Sequence, residues 1–400
     1  MQQNKTFCIL PWIHLYANPD GNVLPCCIGD YRMPLGNVRQ ETVEELWNND
    51  EFKSMRKNML AGKECKQCSA CYSTEAAGGQ SFRQSSNKAY AEFISLTDST
   101  NSDGSLGSID LKYLDIRWSN ICNFKCKGCS GTYSSSWAKE ERRNDIFIFS
   151  GGKDNDALYE QIRPFLSTVK EIYFAGGEPL LMDKHYEILE YLISTGNTDI
   201  KIRYNTNLSK LEYKGLSVIK LWKQFTNVHL GISLDHYGLR GEYIREGTDW
   251  KILENNIKLV RQKCPHVHTG IASVVSVFNV STLPEFVDYL ISKKLVDNNT
   301  YVSLYPIINP DYYSFDVIPD NIKEKIINNL SNLDYNSQLN NQLNNQLNEQ
   351  LGVIIEKLKS SKYNIKLSQE FKEKVIYYDK IRSTNFNKTF PELQEWYEKI

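Results

Sequence analysis

Three cysteines, Cys122, Cys126 and Cys129, lie within eight residues of a 400-residue chain. They follow a β-type run at residues 111–118, the first of six such runs that alternate with helical stretches up to residue 307. Strand–helix alternation is typical of parallel strands joined by right-handed crossovers. Six such units are too few to close an eight-stranded barrel, so the sequence predicts an α/β fold with an open, partial (βα)6 barrel.

The loop with these three cysteines stands at the carboxyl end of a predicted strand, where α/β barrels place their active sites. Three thiolates in so short a loop can wrap a compact cluster. A structural zinc site would need a fourth ligand, normally from a second close pair. A cubane iron–sulfur cluster has four irons, so three cysteines leave one iron open to a substrate or cofactor. The spacing therefore favours an iron–sulfur cluster.

The composition supports metal binding by the cysteines. Nine of the ten cysteines fall in the first 129 residues. No apolar run approaches the ~20 residues of a membrane helix, and the amino terminus has no signal-peptide pattern. We therefore expect a cytoplasmic protein without a membrane partner, in which thiols stay reduced and act as metal ligands. The formal net charge of −1 argues against a nucleic-acid partner.

A second motif, "GGEP" at residues 176–179, follows the next β-type run. The CxxxCxxC loop and this motif together resemble the radical S-adenosylmethionine (SAM) enzymes, over roughly residues 109–310. The resemblance implies a catalytic 4Fe–4S cluster on Cys122, Cys126 and Cys129, with SAM chelating the open iron. In that family an electron from the cluster cleaves the sulfur–C5′ bond of SAM. The resulting 5′-deoxyadenosyl radical then removes a hydrogen atom from the substrate.

The same resemblance assigns contacts to SAM. Glycines permit close backbone approach and a carboxylate suits an ammonium, so the SAM amino group would be held by Gly176, Gly177, Glu178 and Pro179. Polar residues at later strand ends resemble positions that bind the ribose hydroxyls and the methionyl carboxylate: Asn205, Asn207, Ser233 and Asp235. Each of these four residues has a turn cap as its alternative role, which is the commoner one for such side chains.

Two further residues near these motifs bear on SAM binding. Arg245 has two interpretations, a partner for the SAM carboxylate or a solvated surface residue, and we expect the second. Gly128 stands where the family usually has an aromatic residue, just before the third cysteine. We therefore expect cluster binding without the usual aromatic contact to the adenine.

The cysteines before residue 85 form a second group. The order Cys8, Gly21, Cys26, followed by a CxxC pair, resembles the twitch and SPASM modules of many radical SAM enzymes, although those modules usually follow the barrel. The resemblance implies an auxiliary 4Fe–4S cluster with four thiolate ligands, which we expect to be Cys8, Cys26, Cys68 and Cys71. Cys65 is the main substitute. Cys27 is not expected to bind the same cluster as its neighbour, and a structural zinc knuckle is the alternative for this region.

These interpretations predict three parts: a cysteine-rich module at 1–95, the barrel at 109–310 and a helical C-terminal extension at 311–400. The predicted function is reductive cleavage of SAM and hydrogen abstraction from a peptide or protein, leading to oxidation, epimerisation or cross-linking. A small-molecule substrate such as a sugar or nucleotide is one alternative. A non-catalytic zinc-binding interaction protein is the alternative from another class. The resemblance also implies an electron donor such as flavodoxin or ferredoxin.

Overall fold

The computed structural model describes residues 4–142, 153–297, 300–333 and 341–400. The chain forms two compact units. Unit 1 consists of Met1–Cys122, Gly131–Tyr204 and Lys223–Asn227. Unit 2 consists of Asn123–Ser130, Asn205–Trp222 and Val228–Ile400.

Within the described residues, the strands are β1 (His14–Ala17), β2 (Asn22–Leu24), β3 (Gly36–Asn37), β4 (Tyr113–Ile116), β5 (Lys125–Cys126), β6 (Glu171–Phe174), β7 (Lys201–Thr206), β8 (Glu212–Tyr213), β9 (Leu216–Ser217), β10 (Val228–Ser233), β11 (Arg245–Glu246), β12 (His268–Val275) and β13 (Tyr301–Pro306).

The α-helices of the same described ranges are α1 (Leu10–Ile13), α2 (Val43–Trp47), α3 (Asp50–Leu60), α4 (Ser69–Ala76), α5 (Phe82–Ala89), α6 (Ser135–Glu140), α7 (Lys153–Ile162), α8 (Asp183–Ser194), α9 (Val218–Trp222), α10 (Gly238–Ile244), α11 (Trp250–Lys263), α12 (Leu283–Ser292), α13 (Asp320–Ser331), α14 (Asn341–Ser360), α15 (Ile365–Arg382), α16 (Phe386–Thr389) and α17 (Gln394–Lys399). Short 3-10 helices include Lys66–Cys68 and Pro179–Leu181.

Unit 1 is built around parallel strands. β1 pairs with β4, β4 with β6 and β6 with β7 in parallel, and β2 and β3 continue the sheet as antiparallel strands. One register row is apolar and buried: Leu15, Leu114, Ile172 and Ile202. Successive side chains in a strand point to opposite faces, so the other face carries what we call the polar row: Tyr16, Asp115, Tyr173 and Arg203.

The cysteine-rich part of unit 1 shares this sheet. β1 lies within the predicted module at residues 1–95, yet it pairs with β4, the first predicted barrel strand. Local capping explains the helices that follow in the module. Thr42 and Glu45 form a capping box at the start of α2, and the Asn49 side chain caps α3 by accepting from the backbone N–H of Phe52.

Unit 2 contains the later strands. β10 pairs with β12 and β12 with β13, all in parallel. β5, which carries Cys126, pairs with β11 in antiparallel fashion. After β13 the described chain is mostly helical, from α13 to α17. Aromatic side chains pack together in this region: Phe278, Tyr313, Phe371, Phe390 and Trp396.

The order of elements matches the predicted alternation. Each of the six β-type runs contains one strand, namely β4, β6, β7, β10, β12 and β13, and helices separate these strands along the chain. The predicted α/β fold with a partial (βα)6 barrel is confirmed. The residue boundaries of the three predicted parts stay a prediction. No helix among the described residues has both the length and the apolar character that crossing a membrane requires.

Candidate functional site

In unit 1 the GGEP motif is joined to the residues that lead into Cys122. The N–H of Gly177 donates to the carbonyl of Ser119 at 2.9 Å, and the N–H of Glu178 donates to the carbonyl of Ile121 at 2.7 Å. Two strand-end loops are thereby fastened together by their backbones. Because these hydrogen bonds join backbone groups, they require no particular side chain. They do require the two backbones to lie close together.

The two glycines of the motif permit that approach. A Cβ on Gly177 would lie 2.3 Å from the carbonyl oxygen of Ile121 and 2.7 Å from the carbonyl carbon of Asn120. Gly176 has φ +106°, and a Cβ there would lie 3.1 Å from the carbonyl oxygen of Ser119. Because glycine has no Cβ, Gly177 avoids the steric overlap and Gly176 tolerates its positive φ without strain. The close neighbour of these glycines is therefore the chain's own loop before Cys122.

Glu178 and Pro179 begin a short 3-10 helix. The Glu178 carboxylate is buried, and its Oε1 accepts from the N–H of Leu180 at 3.1 Å. Pro179 occupies the first turn, where its missing N–H costs nothing. The contact of Glu178 with the SAM amino group stays a prediction.

The backbone of Cys122 is fixed by the start of α6. Its N–H donates to Oγ of Ser135 at 3.2 Å, and its carbonyl accepts from Oγ of Ser136 at 2.7 Å. Its side chain is half-buried. Hydroxyl groups thus orient the first cysteine of the CxxxCxxC loop, a contribution that sequence spacing did not indicate.

Cys126 and Cys129, both in unit 2, form a turn. The N–H of Cys129 donates to the carbonyl of Cys126 at 3.0 Å. Pairing of β5 with β11 sets Cys126 opposite Arg245, whose Nη1 donates to Sγ of Cys126 at 3.6 Å. Burial raises the pKa of Cys126 and the Asp235 carboxylate raises it further, whereas the Arg245 guanidinium lowers it. A fixed positive charge thus faces the sulfur that would ligate iron.

Arg245 is not the solvated residue that the sequence suggested. Its side chain is only 13% exposed, and it pairs with Asp235 through Nε to Oδ2 at 2.8 Å and Nη2 to Oδ1 at 3.1 Å. β11 and β5 are strands of two residues, which have no clear sequence pattern, and their antiparallel pairing places Arg245 in a buried position. The expectation of a surface arginine is wrong.

The polar strand-end residues lie at different degrees of burial. Asn207 donates to Oδ1 of Asn123 at 3.0 Å and accepts from the N–H of Ser209 at 2.9 Å, so its amide shapes the loop after β7. Asp235 accepts from the N–H of Val274 at 2.7 Å besides pairing with arginine. Asn205 is exposed and Ser233 is half-buried at the end of β10. The SAM contacts of these four residues stay predictions.

Gly128 has an aliphatic neighbour. A Cβ at this position would lie 3.4 Å from Cδ1 of Ile307, which follows β13. No closer atom would meet it. An apolar side chain from another strand end therefore lies beside the position where the family usually has an aromatic residue.

Four cysteines of the amino-terminal group line one cavity in unit 1: Cys8, Cys26, Cys68 and Cys71. Apolar side chains, among them Leu10, Met59 and Phe82, form much of the remaining wall, and Arg83 completes it. In the part of the chain that the structure describes, no three Cys, His, Asp or Glu side chains come close enough to hold a single metal ion. The four thiols surround a shared space rather than converge on one point.

The electrostatics of this cavity suit a group that replaces thiol protons. The pKa of Cys8 is raised to about 12, mainly by burial; nearby Cys71 and Cys65 contribute to the increase, whereas a backbone hydrogen bond from Leu10 and the charge of Arg83 oppose it. Burial also raises the pKa of Cys26 and of Cys68. Cationic iron displaces such protons and compensates the charge of several thiolates together. A largely apolar cavity with four thiols fits a cluster in which every iron has a thiolate ligand.

The other two cysteines of the group lie outside that lining. Cys65 is buried, and its thiol donates to the carbonyl of Met55 at 3.7 Å. Cys27 has a different environment: its pKa is raised to about 11, mainly by burial and also by Asp115, whereas Arg117 opposes the increase. The placement matches the expected ligand set, which nevertheless stays a prediction.

A charged aromatic stack in unit 1 was missed in the sequence. Arg117 pairs with Asp115, Nε to Oδ1 at 2.8 Å, and its guanidinium lies 5.0 Å from the Tyr16 ring and 5.4 Å from the Tyr173 ring. The guanidinium of Arg203 also lies over Tyr173, 5.0 Å from the ring centroid. In the sequence, the stack is visible only as polar residues at alternate positions within β-type runs. A strand with one face in solvent has the same pattern.

Comparisons with known proteins agree with this geometry. The model of the SPASM iron–sulfur cluster-binding domain matches residues 8–72, and the model of the radical SAM superfamily matches residues 116–290. No curated protein sequence matches the chain.

Several solved structures are similar to the chain. anSMEcpe with bound AdoMet and Cp18Cys peptide is 18% identical, with 54% of this chain and 57% of that chain covered and a TM-score of 0.40. SuiB of Streptococcus suis bound to S-adenosylmethionine is 14% identical, with coverages of 72% and 65% and a TM-score of 0.41. The chain thus spans a little over half of the anSMEcpe structure.

The radical SAM match contains the CxxxCxxC loop and the GGEP motif, and the SPASM match contains the cavity cysteines. The cofactors follow from these two domains: SAM, a 4Fe–4S cluster and auxiliary iron–sulfur binding. Both matches favour an iron–sulfur protein over the zinc-binding alternative. The chain therefore contains a radical SAM domain at residues 116–290 and a SPASM iron–sulfur cluster-binding domain at residues 8–72.

Proposed function

We propose that the chain cleaves SAM reductively at a 4Fe–4S cluster held by Cys122, Cys126 and Cys129, and that the reaction removes a hydrogen atom from a peptide or protein. When bound, the cluster supplies the electron that breaks the sulfur–C5′ bond of SAM. The proposal rests on one observation: backbone hydrogen bonds join the GGEP motif to the loop before Cys122. The N–H of Gly177 donates to the carbonyl of Ser119, and the N–H of Glu178 donates to the carbonyl of Ile121.

The chain's own residues have three tasks in this proposal. Ser135 and Ser136 hold the backbone of Cys122. Arg245 donates to Sγ of Cys126 and stabilises its thiolate form. Glu178, buried and next to the loop backbone, is a suitable partner for the SAM ammonium.

The preference for a peptide or protein rests on two features. SPASM-bearing radical SAM enzymes, which this chain resembles, commonly modify peptides. Arg203 lies over the Tyr173 ring and is partly exposed, so its guanidinium can donate to the carbonyl groups of a peptide. We propose oxidation, epimerisation or cross-linking as the outcome, with an electron donor such as flavodoxin or ferredoxin.

The stack also favours a second candidate, a small molecule with an anionic group such as a sugar phosphate or nucleotide. Arg203 pairs with Glu171 at 2.9 Å, and its side chain is 40% exposed. An anion could therefore approach this guanidinium from solvent.

Formation of 5′-deoxyadenosine tests the reaction. The anaerobically reconstituted protein, given SAM and dithionite, should form 5′-deoxyadenosine, and the variant with Cys122, Cys126 and Cys129 all changed to Ala should form none. Cys264→Ala is the matched control, because Cys264 belongs to neither cysteine group and its buried thiol donates to the carbonyl of Ile219 at 3.7 Å. Product formation by the triple variant would show that the ligand assignment is wrong.

The substrate class is tested with fractions of a cell extract. Stimulation of 5′-deoxyadenosine formation by a large, protease-sensitive fraction would support a peptide or protein. Stimulation by a small, protease-resistant fraction would instead favour the second candidate.

A further inference from the structure

A lysine is buried between two predicted ligands of the catalytic cluster. Lys127 lies between Cys126 and Cys129 and is 3% exposed. Its Nζ lies 4.6 Å from the ring centroid of Tyr243 and 4.9 Å from that of Tyr378. An ammonium over two aromatic faces is attracted by both ring quadrupoles, so it can keep its charge out of water. We call Lys127, Tyr243 and Tyr378 the lysine cage.

Both walls of the lysine cage come from helices of unit 2. Tyr243 belongs to α10, and Tyr378 belongs to α15, in the C-terminal part of the chain. Both tyrosines are buried. The N–H of Lys127 donates to the carbonyl of Ile244 at 2.8 Å, next to Tyr243 in the chain. The two rings of the cage thus hold the side chain of Lys127, and the neighbouring Ile244 holds its backbone.

A second contact from α15 reaches the same loop. Nη1 of Arg382 donates to the carbonyl of Lys125 at 3.1 Å, and its guanidinium lies 4.7 Å from the ring of Tyr378. The helix thus contacts the residues on both sides of Cys126. A helix more than 230 residues away in sequence sets the conformation of the turn from Cys126 to Cys129.

Several charged groups lie near the turn from Cys126 to Cys129. Arg245 donates to Sγ of Cys126, but its charge is largely balanced by Asp235. Burial raises the pKa of the Tyr243 hydroxyl, and the nearby Asp379 carboxylate raises it further. Lys127 is the cation that lies within the turn itself. A positive charge in a water-poor environment stabilises the more negative, reduced form of a nearby iron–sulfur cluster.

We propose that Lys127 is a positioning residue for the catalytic cluster: the lysine cage holds the turn from Cys126 to Cys129, and the caged charge raises the cluster's reduction potential. This inference rests on the proposed function, because it takes Cys126 and Cys129 as ligands of that cluster. It adds a role for α15, which lies outside the residues that carry the radical SAM motifs. The step affected is electron entry, before SAM is cleaved.

The experiment measures the reduction potential of the reconstituted full-length protein by electron paramagnetic resonance. The catalytic cluster is identified as the signal that changes when SAM is added, because its open iron binds SAM. In Lys127→Met, the ratio of reduced to oxidised catalytic cluster at a fixed solution potential should fall about tenfold, which is about 59 mV for a one-electron couple. Lys127→Arg keeps a cation against the two rings and should restore most of the ratio.

Lys251→Met is the matched control, because it removes an exposed positive charge from α11 of the same unit. It should leave the ratio unchanged. An unchanged ratio in Lys127→Met, or an equal fall in Lys127→Arg, would overturn the proposal. If Lys127→Met binds no catalytic cluster while Lys127→Arg does, the positioning role is supported, and loss of the cluster from both variants contradicts it.

The triple alanine variant at the three predicted cluster cysteines separates this inference from the proposed function. If that variant keeps the SAM-responsive signal, the ligand assignment itself is wrong. If it loses the signal and Lys127→Met behaves as the wild type, only the role of Lys127 is wrong.

Discussion

Gly177 sets how closely the GGEP motif approaches the residues before Cys122. Its missing side chain leaves room for the carbonyl of Ile121, which a Cβ would approach to 2.3 Å. Gly177→Ala should therefore force the two loops apart, which costs about 1–3 kcal/mol for overpacking and weakens SAM binding. The measurements are the unfolding midpoint temperature and SAM affinity by calorimetry. In the control, Gly107→Ala, a Cβ meets nothing within 4 Å, so an equal effect of both substitutions would contradict this explanation.

At the scale of elements, the 3-10 helix Lys66–Cys68 and α4 divide the CxxCxxC cysteines. Cys71 lies in the first turn of α4 and lines the cavity, whereas Cys65 precedes the 3-10 helix and donates to Met55. In the triple alanine background, Cys71→Ser should therefore lose the remaining iron, about four atoms per chain. Cys65→Ser should retain that iron. The measurement is iron per chain, and the reverse result would exchange the two cysteines in the ligand set.

At the scale of the whole molecule, two cysteine groups predict two clusters. The reconstituted wild type should hold about eight irons per chain, four for each cubane cluster. The triple alanine variant at Cys122, Cys126 and Cys129 should keep about half of the iron and a brown colour, because the cavity in the amino-terminal group has its own four thiols. The measurement is metal analysis of both proteins. A colourless triple variant with about one zinc per chain would establish a zinc knuckle instead.

The fold and the two groups of cysteines could be predicted from the amino-acid sequence because their signals are local. Strand and helix periodicity is read within ten to twenty residues, and all six β-type runs contain a strand. The spacing from Cys122 to Cys129 and the motif at 176–179 are equally local. Such patterns can be recognised without knowing which residues far apart in the sequence come into contact.

The contacts around these motifs were decided by tertiary packing. Arg245 looks like any polar surface residue in "EYIREG", yet pairing of β11 with β5 buries it against Cys126. Lys127 looks like a solvated lysine until α15 brings Tyr378 over it. The burial of these two residues depends on contacts with residues more than a hundred positions away. Neither segment has a periodic pattern that reveals it, because the stabilising free energy arises only when the segments pack together.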